Sequence, residues 1–317
     1  MNSPFPFEAM LTFGFLSGLL LVGTLIRAKV PLVQKYLFPS CLIGGLLGSI
    51  AVNSGWIDIS VSQLEIFAYH FFNISFISAG LTRDTHPGGK RGGNKRFWQG
   101  TLWMALTQGI TFPVQAIIGG GVVLLLGLFG MDLFDTFGFL APLGFNEGPG
   151  QALSFGKVWE ELGFSHAATI GLTFAAVGYA FAFFIGVPLA NWGIRKGLSQ
   201  GRRSMLTRDF IRGYHVPTSQ GKEAGRLRLH SANIDSLAFQ MALVGVIYLI
   251  TYFLVQGIGT LVDTDTAKML WGFYFFFGLL LAVLVRLFLD LIGIGYLVDT
   301  GIQKRITGWS VDYLLVA

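Results

Sequence analysis

Cysteine is almost absent from this chain. Cys41 stands alone among 317 residues, which excludes an intramolecular disulfide and a cysteine-rich metal site. Histidine is sparse too, with five scattered residues and no H-x-x-x-H or H-E-x-x-H pair to hold zinc. Charge is the third scarcity: Asp, Glu, Lys and Arg make up only 12% of the residues against 53% hydrophobic, too apolar for an ordinary soluble domain. No Lys or Arg precedes the first apolar run, Phe7 to Ile26, and no small-residue cleavage site follows it. The run therefore reads as a retained span and not as a secretory signal. The net charge of +5 does not argue for nucleic acid, because in such a chain its distribution serves orientation. No Ser/His, paired-Asp or metal constellation falls at membrane depth, which argues against an intramembrane enzyme.

What the chain does contain is recurring apolar runs of about 20 residues, each long enough to cross a ~30 Å hydrocarbon core as a helix. The expected fold is an all-α polytopic membrane protein. Basic residues order the spans, since they mark the cytoplasmic side of short loops. They cluster at Arg27 to Lys35, at Arg83 to Arg96, at Arg195 to Arg228, and at Lys304 and Arg305, whereas GWIDIS and DTDTA carry none. The N-terminus is expected outside, with loops 82–97 and 195–235 in the cytoplasm. Spans are expected at about 6–26, 37–54, 61–81, 98–128, 166–194, 236–262 and 269–289, with a partial one from 309. Arg286 lies close enough to the end of its span to snorkel. Glu65, opening the third span, reads as solvated.

Charge parity leaves a puzzle after the fourth span. The span ending at Arg195 must finish on the basic side, so whatever lies between it and the fourth must cross twice or not at all. The stretch Leu133 to Pro142 supplies about ten residues, which as a helix reach ~15 Å, half the hydrocarbon thickness. A re-entrant hairpin over 133–152 satisfies both constraints. Its tip reads GFNEGPGQA. Five spans and a hairpin make a first repeat over 1–196, a basic loop occupies 197–235, and 236–317 begins an inverted second repeat. That repeat is incomplete, so the chain is expected to be truncated. Inverted repeats of this kind build the sites of secondary transporters.

Several segments resemble one family. FPSCLIGGLLGSI on the second span, FISAGL on the third, and GFNEGPGQALSFGKVWEELGFSHAATIGLTFAAVGYAFAFFIGVPLANWGIRKG are similar to the first half of bacterial sodium:glutamate symporters of the ESS family. The resemblance implies a sodium-coupled glutamate carrier of the bacterial inner membrane, with inverted five-helix repeats and a core domain holding two re-entrant loops. It also implies a scaffold for homodimer contacts and elevator-like movement. The family's hairpin tip falls on Asn146 to Ala152. Gly148, Gly150 and Ala152 keep its pattern, while Glu147 stands where a histidine is usual, Pro149 where a small hydroxyl residue is usual, and Gln151 replaces a small residue. The substrate is thereby assigned Asn146, Glu147, Gly148, Gly150 and Gln151. The coupling ion is assigned Glu147, Ser78, Ser310 and Asp312, the last where another hydroxyl residue is usual. No cofactor is implied beyond the coupling ion, Na⁺ or H⁺; membrane lipids are the other expected partner.

The residue types suit that chemistry. Glycines free backbone groups for close approach to a ligand. Helix N-termini favour carboxylates, and unwound carbonyls favour Na⁺. Pro149 ends a helix by removing a donor. A carboxylate at the bilayer centre costs roughly 2.5–3.5 kcal/mol and usually faces an ion pathway. Glu147 then has three open readings: a Na⁺ ligand, a proton carrier, or an acid solvated in an outer mouth. His70 and Asn73 share one helix face, as do Gln108, Thr111 and Gln115; each group suits either helix–helix hydrogen bonding or a transport cavity. A channel and a non-transporting anchor are the rival classes.

Overall fold

The computed structural model describes residues 7–83, 93–198, 211–213, 225–226, 228–229 and 233–317, and no side chain at 93–97 or 195. Most of the basic loops 82–97 and 197–235 therefore lies outside the described residues. Among those described no strand occurs. The helices are α1 (Glu8–Lys29), α2 (Pro31–Lys35), α3 (Ser40–Asn53), α4 (Val61–Leu81), α5 (Gly93–Leu128), α6 (Pro149–Glu161), α7 (Ala167–Phe181) and α8 (Val187–Arg195). After the second basic loop come α9 (Ser236–Gly259), α10 (Thr264–Gly272), α11 (Tyr274–Leu291) and α12 (Thr300–Val316).

Among the described residues six helices are long and apolar enough to cross a membrane: α1, α4, Trp98–Leu128 of α5, Ala167–Ile194, α9 and α11. The protein is an all-α, multi-pass membrane protein. Helix caps explain where its elements depart from the apolar runs. Asp263 accepts from the Thr266 amide and starts α10, which ends at Gly272, so the run expected over 269–289 is divided between two helices. Asp299 accepts from the Ile302 amide and starts α12 at Thr300, well before the apolar residues that begin near 309.

The chain divides into two compact units, one comprising residues 1–82, 180–254 and 274–317 and the other 83–179 and 255–273. In the first, α4 is the central helix. Ile77 and Leu81 pack with Val244 and Ile247 of α9, Ala282 of α11 and Val298. Phe71 meets Trp309 edge-on at 5.0 Å and Tyr313 at 5.2 Å, joining α4 to α12.

One expectation fails in this unit. Glu65 is buried, with 9% of its surface exposed, because α4 is enclosed over most of its length and not only at its far end. Arg286, near the end of its span, finds partners within the protein. One turn away Asp290 offers a carboxylate 3.3 Å from its guanidinium, and Val298 offers a carbonyl at 3.2 Å, so the charge is satisfied within the protein.

The second unit contains α5, the segment leading to α6, α6 itself, most of α7, and α10. The stretch Leu133 to Pro142 is not the helix expected there. It holds a 3-10 turn at Phe137–Phe139 and then a π-helical turn over Pro142–Glu147, and the regular helical limb is α6, beyond Gly148. Close packing on α5 accounts for the irregularity. Gly138 and Gly119 meet backbone to backbone, with no room for a Cβ on either.

Candidate functional site

The site is built where the π-helical turn gives way to α6. Gly148 has φ +102° and ψ −176°, a conformation essentially confined to glycine, and it reverses the chain between the two limbs. Pro149 then opens α6 without an N–H to satisfy, and the N–H groups of Gly150 and Gln151 have no acceptor within the helix.

Both limbs lie along α7, which sets the position of the tip. On the first limb Gly144 packs on Phe174 and Ala175, and Phe145 packs on Gly178. On the second limb Ala152 packs on Gly171, and Gly156 packs on Ala167 and Ala168. The limbs therefore run antiparallel, closed at Ala168 and turning beside Gly178. Eleven residues separate Ala167 from Gly178, so the tip stands ~16 Å along the axis of an apolar, membrane-crossing helix. At the closed end Glu160 accepts from the Ala168 amide at 3.1 Å and pairs with Lys157 at 2.9 Å, anchoring the start of α7.

The polar groups of the tip converge on one carboxylate. Gln151 Nε2 donates to Glu147 Oε2 at 3.2 Å, from the first turn of α6. Gln108 Nε2, from α5, donates to Glu147 Oε1. Glu147 has no basic partner among the described residues. Lys157 is held by Glu160, and Lys268 lies 3.9 Å from Asp265. On the preceding residue, Asn146 Nδ2 is buried with no hydrogen-bond acceptor. A carboxylate held by two amide donors at a helix N-terminus can hold a small solute bearing both signs of charge.

Of the residues assigned to the substrate, Asn146, Glu147, Gly148, Gly150 and Gln151 are brought together at this tip. Gln108 joins them. Its stripe with Thr111 and Gln115 was legible as a polar face, but nothing in the spacing showed that Gln108 would reach Glu147. Thr111 instead bonds back to the Thr107 carbonyl. Gln115 lines a separate apolar cavity of about 470 Å³ with Gly119, Phe137, Gly138, Phe145 and Phe174, whose walls offer little to a charged solute.

The remaining ion-site candidates, Ser78, Ser310 and Asp312, belong to the other unit. Ser78 Oγ lies 2.7 Å from the carbonyl oxygen and 2.8 Å from Oε1 of Gln303, to which it donates. Gln303 in turn donates to Gln240 Oε1 at 3.0 Å, and Gln240 to the Leu297 carbonyl at 2.7 Å, forming a buried amide chain through α4, α9 and α12. Ser310 bonds back to Ile306. Asp312 is exposed, with the Cys41 thiol as its hydrogen-bonding neighbour. His70 Nδ1 is 2.7 Å from the Tyr248 hydroxyl of α9, a helix–helix contact, whereas Asn73 donates to the Tyr69 carbonyl of its own helix and its buried Oδ1 has no hydrogen-bond partner.

A family model described as sodium/glutamate symporter matches residues 5–308 of the chain. No curated protein and no solved structure gives a match.

Proposed function

The chain belongs to the sodium/glutamate symporter family, and from that premise we propose that it moves glutamate or a related small amino-acid anion with Na⁺ by elevator-type alternating access. As a member of that family it is a sodium-coupled membrane transporter and not an enzyme. The finer reading places the cargo at the tip around Glu147. One observation carries it: the glycine-broken turn stands ~16 Å along an apolar spanning helix, about half the hydrocarbon thickness. Irregular backbone at such a depth is tolerated where it is enclosed by protein or lines a wet cavity. That supports a re-entrant hairpin over an acid merely solvated at the surface.

The solute's carboxylate is assigned to the N–H groups opening α6, where a helix terminus favours negative charge. Among the ion-site candidates of the other unit, Asp312 keeps an exposed carboxylate suited to Na⁺, while Ser78 and Ser310 direct their hydroxyl hydrogens to protein acceptors. Inverted repeats and assembly as a homodimer in lipid complete the proposal. Purified protein in proteoliposomes tests it. Labelled glutamate is expected to accumulate only under an inward Na⁺ gradient. Equal uptake with Na⁺ replaced by choline overturns the coupling, and uptake driven by a proton gradient alone reassigns the ion.

A further inference from the structure

We propose that Glu147 selects the transported solute by its ammonium group: the free lone pairs of its carboxylate accept the solute's N–H bonds, while the N–H groups that open α6 take a solute carboxylate oxygen. The inference rests on the reading that the hairpin tip holds the cargo, and it goes further in assigning a specificity role to one side chain.

An ionised carboxylate offers about four lone-pair sites, and here Gln108 and Gln151 occupy two. The rest have no protein donor, and no basic side chain among the described residues neutralises the charge. The N–H groups of Gly150 and Gln151, in the first turn of α6, have no acceptor within the helix, and Gln151 itself touches Glu147. The tip thus presents an unspent acceptor, bearing the negative charge, at a helix N-terminus with unspent donors. An α-amino acid has the matching pair, an ammonium and a carboxylate on one carbon. A dicarboxylate of equal length without the ammonium brings further negative charge against Glu147 and leaves its lone pairs unpaired. Buried polar groups left unpaired are what allow a site to reject an analogue that lacks a donor.

The competing cation is Na⁺, and the geometry disfavours it at this carboxylate. A hard metal ion gathers a shell of oxygen ligands. The groups in contact with Glu147 present N–H: two donating side-chain amides, at the positive end of α6. An ammonium needs only directional acceptors, which one carboxylate supplies.

The test compares glutamate with glutarate, the same chain without its ammonium, as competitors of labelled glutamate uptake in proteoliposomes. Wild-type protein is expected to favour glutamate by about tenfold or more, the worth of a charge-assisted hydrogen bond. In Glu147→Gln the apparent KM for glutamate is expected to rise by a similar factor, and the preference to shrink to within about threefold. The Na⁺ concentration for half-maximal rate is expected to stay within about twofold, since the proposal gives the ion no bond to Glu147. Preference retained in Glu147→Gln overturns the proposal. So does a large shift in Na⁺ dependence with solute preference unchanged, which makes Glu147 an ion ligand. Should Glu147→Gln fail to fold, Glu147→Asp keeps the charge but retracts it, and is expected to weaken glutamate while still rejecting glutarate. Unaltered glutamate affinity in that variant also overturns the proposal. If wild-type protein carries no glutamate, the transport reading fails by itself. Thermal-shift titration with glutamine and aspartate against their deaminated counterparts then decides separately whether an ammonium is recognised, and no amino-acid preference in any pair sinks the role of Glu147.

Discussion

Gly119, Gly120 and Gly121 stand in a row on α5, and substituting each by alanine is expected to give opposite results. A Cβ on Gly119 stands against the Gly138 carbonyl oxygen, 2.9 Å from its carbonyl carbon and 3.1 Å from its Cα, whereas one on Gly120 or Gly121 meets nothing within 4 Å. Every atom in the first case is backbone, so no side chain can swing aside. Restoring ordinary contact with that oxygen requires the two segments to part by ~1 Å or slightly more, which forfeits about half of the dispersion energy along that contact. Overpacking of this kind costs ~1–3 kcal/mol. At the other two positions alanine removes the entropic penalty of glycine in a helix, a gain of about 0.5–1 kcal/mol. Thermal unfolding of purified protein in one detergent, followed by intrinsic tryptophan fluorescence, gives the order. Gly119→Ala is expected to melt several degrees below wild type, and Gly120→Ala and Gly121→Ala at or slightly above it. The same displacement of ~1 Å, passed along the segment from Gly138 to Gly144, misplaces the tip, so Gly119→Ala is also expected to slow uptake. Three variants that melt alike would refute the backbone contact and with it the seating of the first limb on α5.

Four further outcomes follow from named contacts. Gly148→Ala places a Cβ at φ +102°, at a strain of ~1–3 kcal/mol, and Gly148→Asn is expected to fare no better because the ψ value is outside the left-handed helical well; transport initial rates check both. Gln108→Leu removes one amide from Glu147 and is expected to lower kcat/KM for glutamate by about tenfold, read from the same uptake assay. Asp299, 3% exposed, pairs at 3.0 Å with Arg228, whose side chain is one-third exposed, and caps α12, so Asp299→Ala is expected to cost ~1–3 kcal/mol, mostly from the lost cap; a melting-temperature double-mutant cycle with Arg228→Met separates the ion pair from the cap. The Asp263 carboxyl is held below its usual value by its hydrogen bond from Thr266. Its capping contribution is therefore present above the ordinary carboxylate range and lost as pH falls through the lowered value, and hydrogen exchange at the start of α10 is expected to rise over that window.

Much of the site was legible one residue at a time. The acid in GFNEGPGQA, its glycines and its proline announce a broken helix by composition, and the structure breaks the helix at Gly148. The limbs were harder to read. Leu133 to Pro142 has the length and apolarity of a half-helix, yet it folds as short 3-10 and π turns, because its fit against α5 requires a close approach at Gly138 that no local propensity encodes. Ser78 matched a hydroxyl position of the family, but a hydroxyl in sequence carries no record of its partner. Here that partner is Gln303, more than two hundred residues away.

The sequence by itself determined the class of the molecule and the outline of its spans. In hydrocarbon a backbone must satisfy its own hydrogen bonds, so apolar runs of spanning length have little choice but to be helices. It also determined the family, because glycine, proline and polar residues at a turn are constrained by local backbone geometry that a linear pattern can express. Only the tertiary structure decided that Gln108 and Gln151 close on Glu147, that the Asn146 amide is buried without an acceptor, and that Gly119 is the packed glycine of three. Helical spacing tells which residues share a face, but a partner on another helix is set by how the helices pack, and that information is not local.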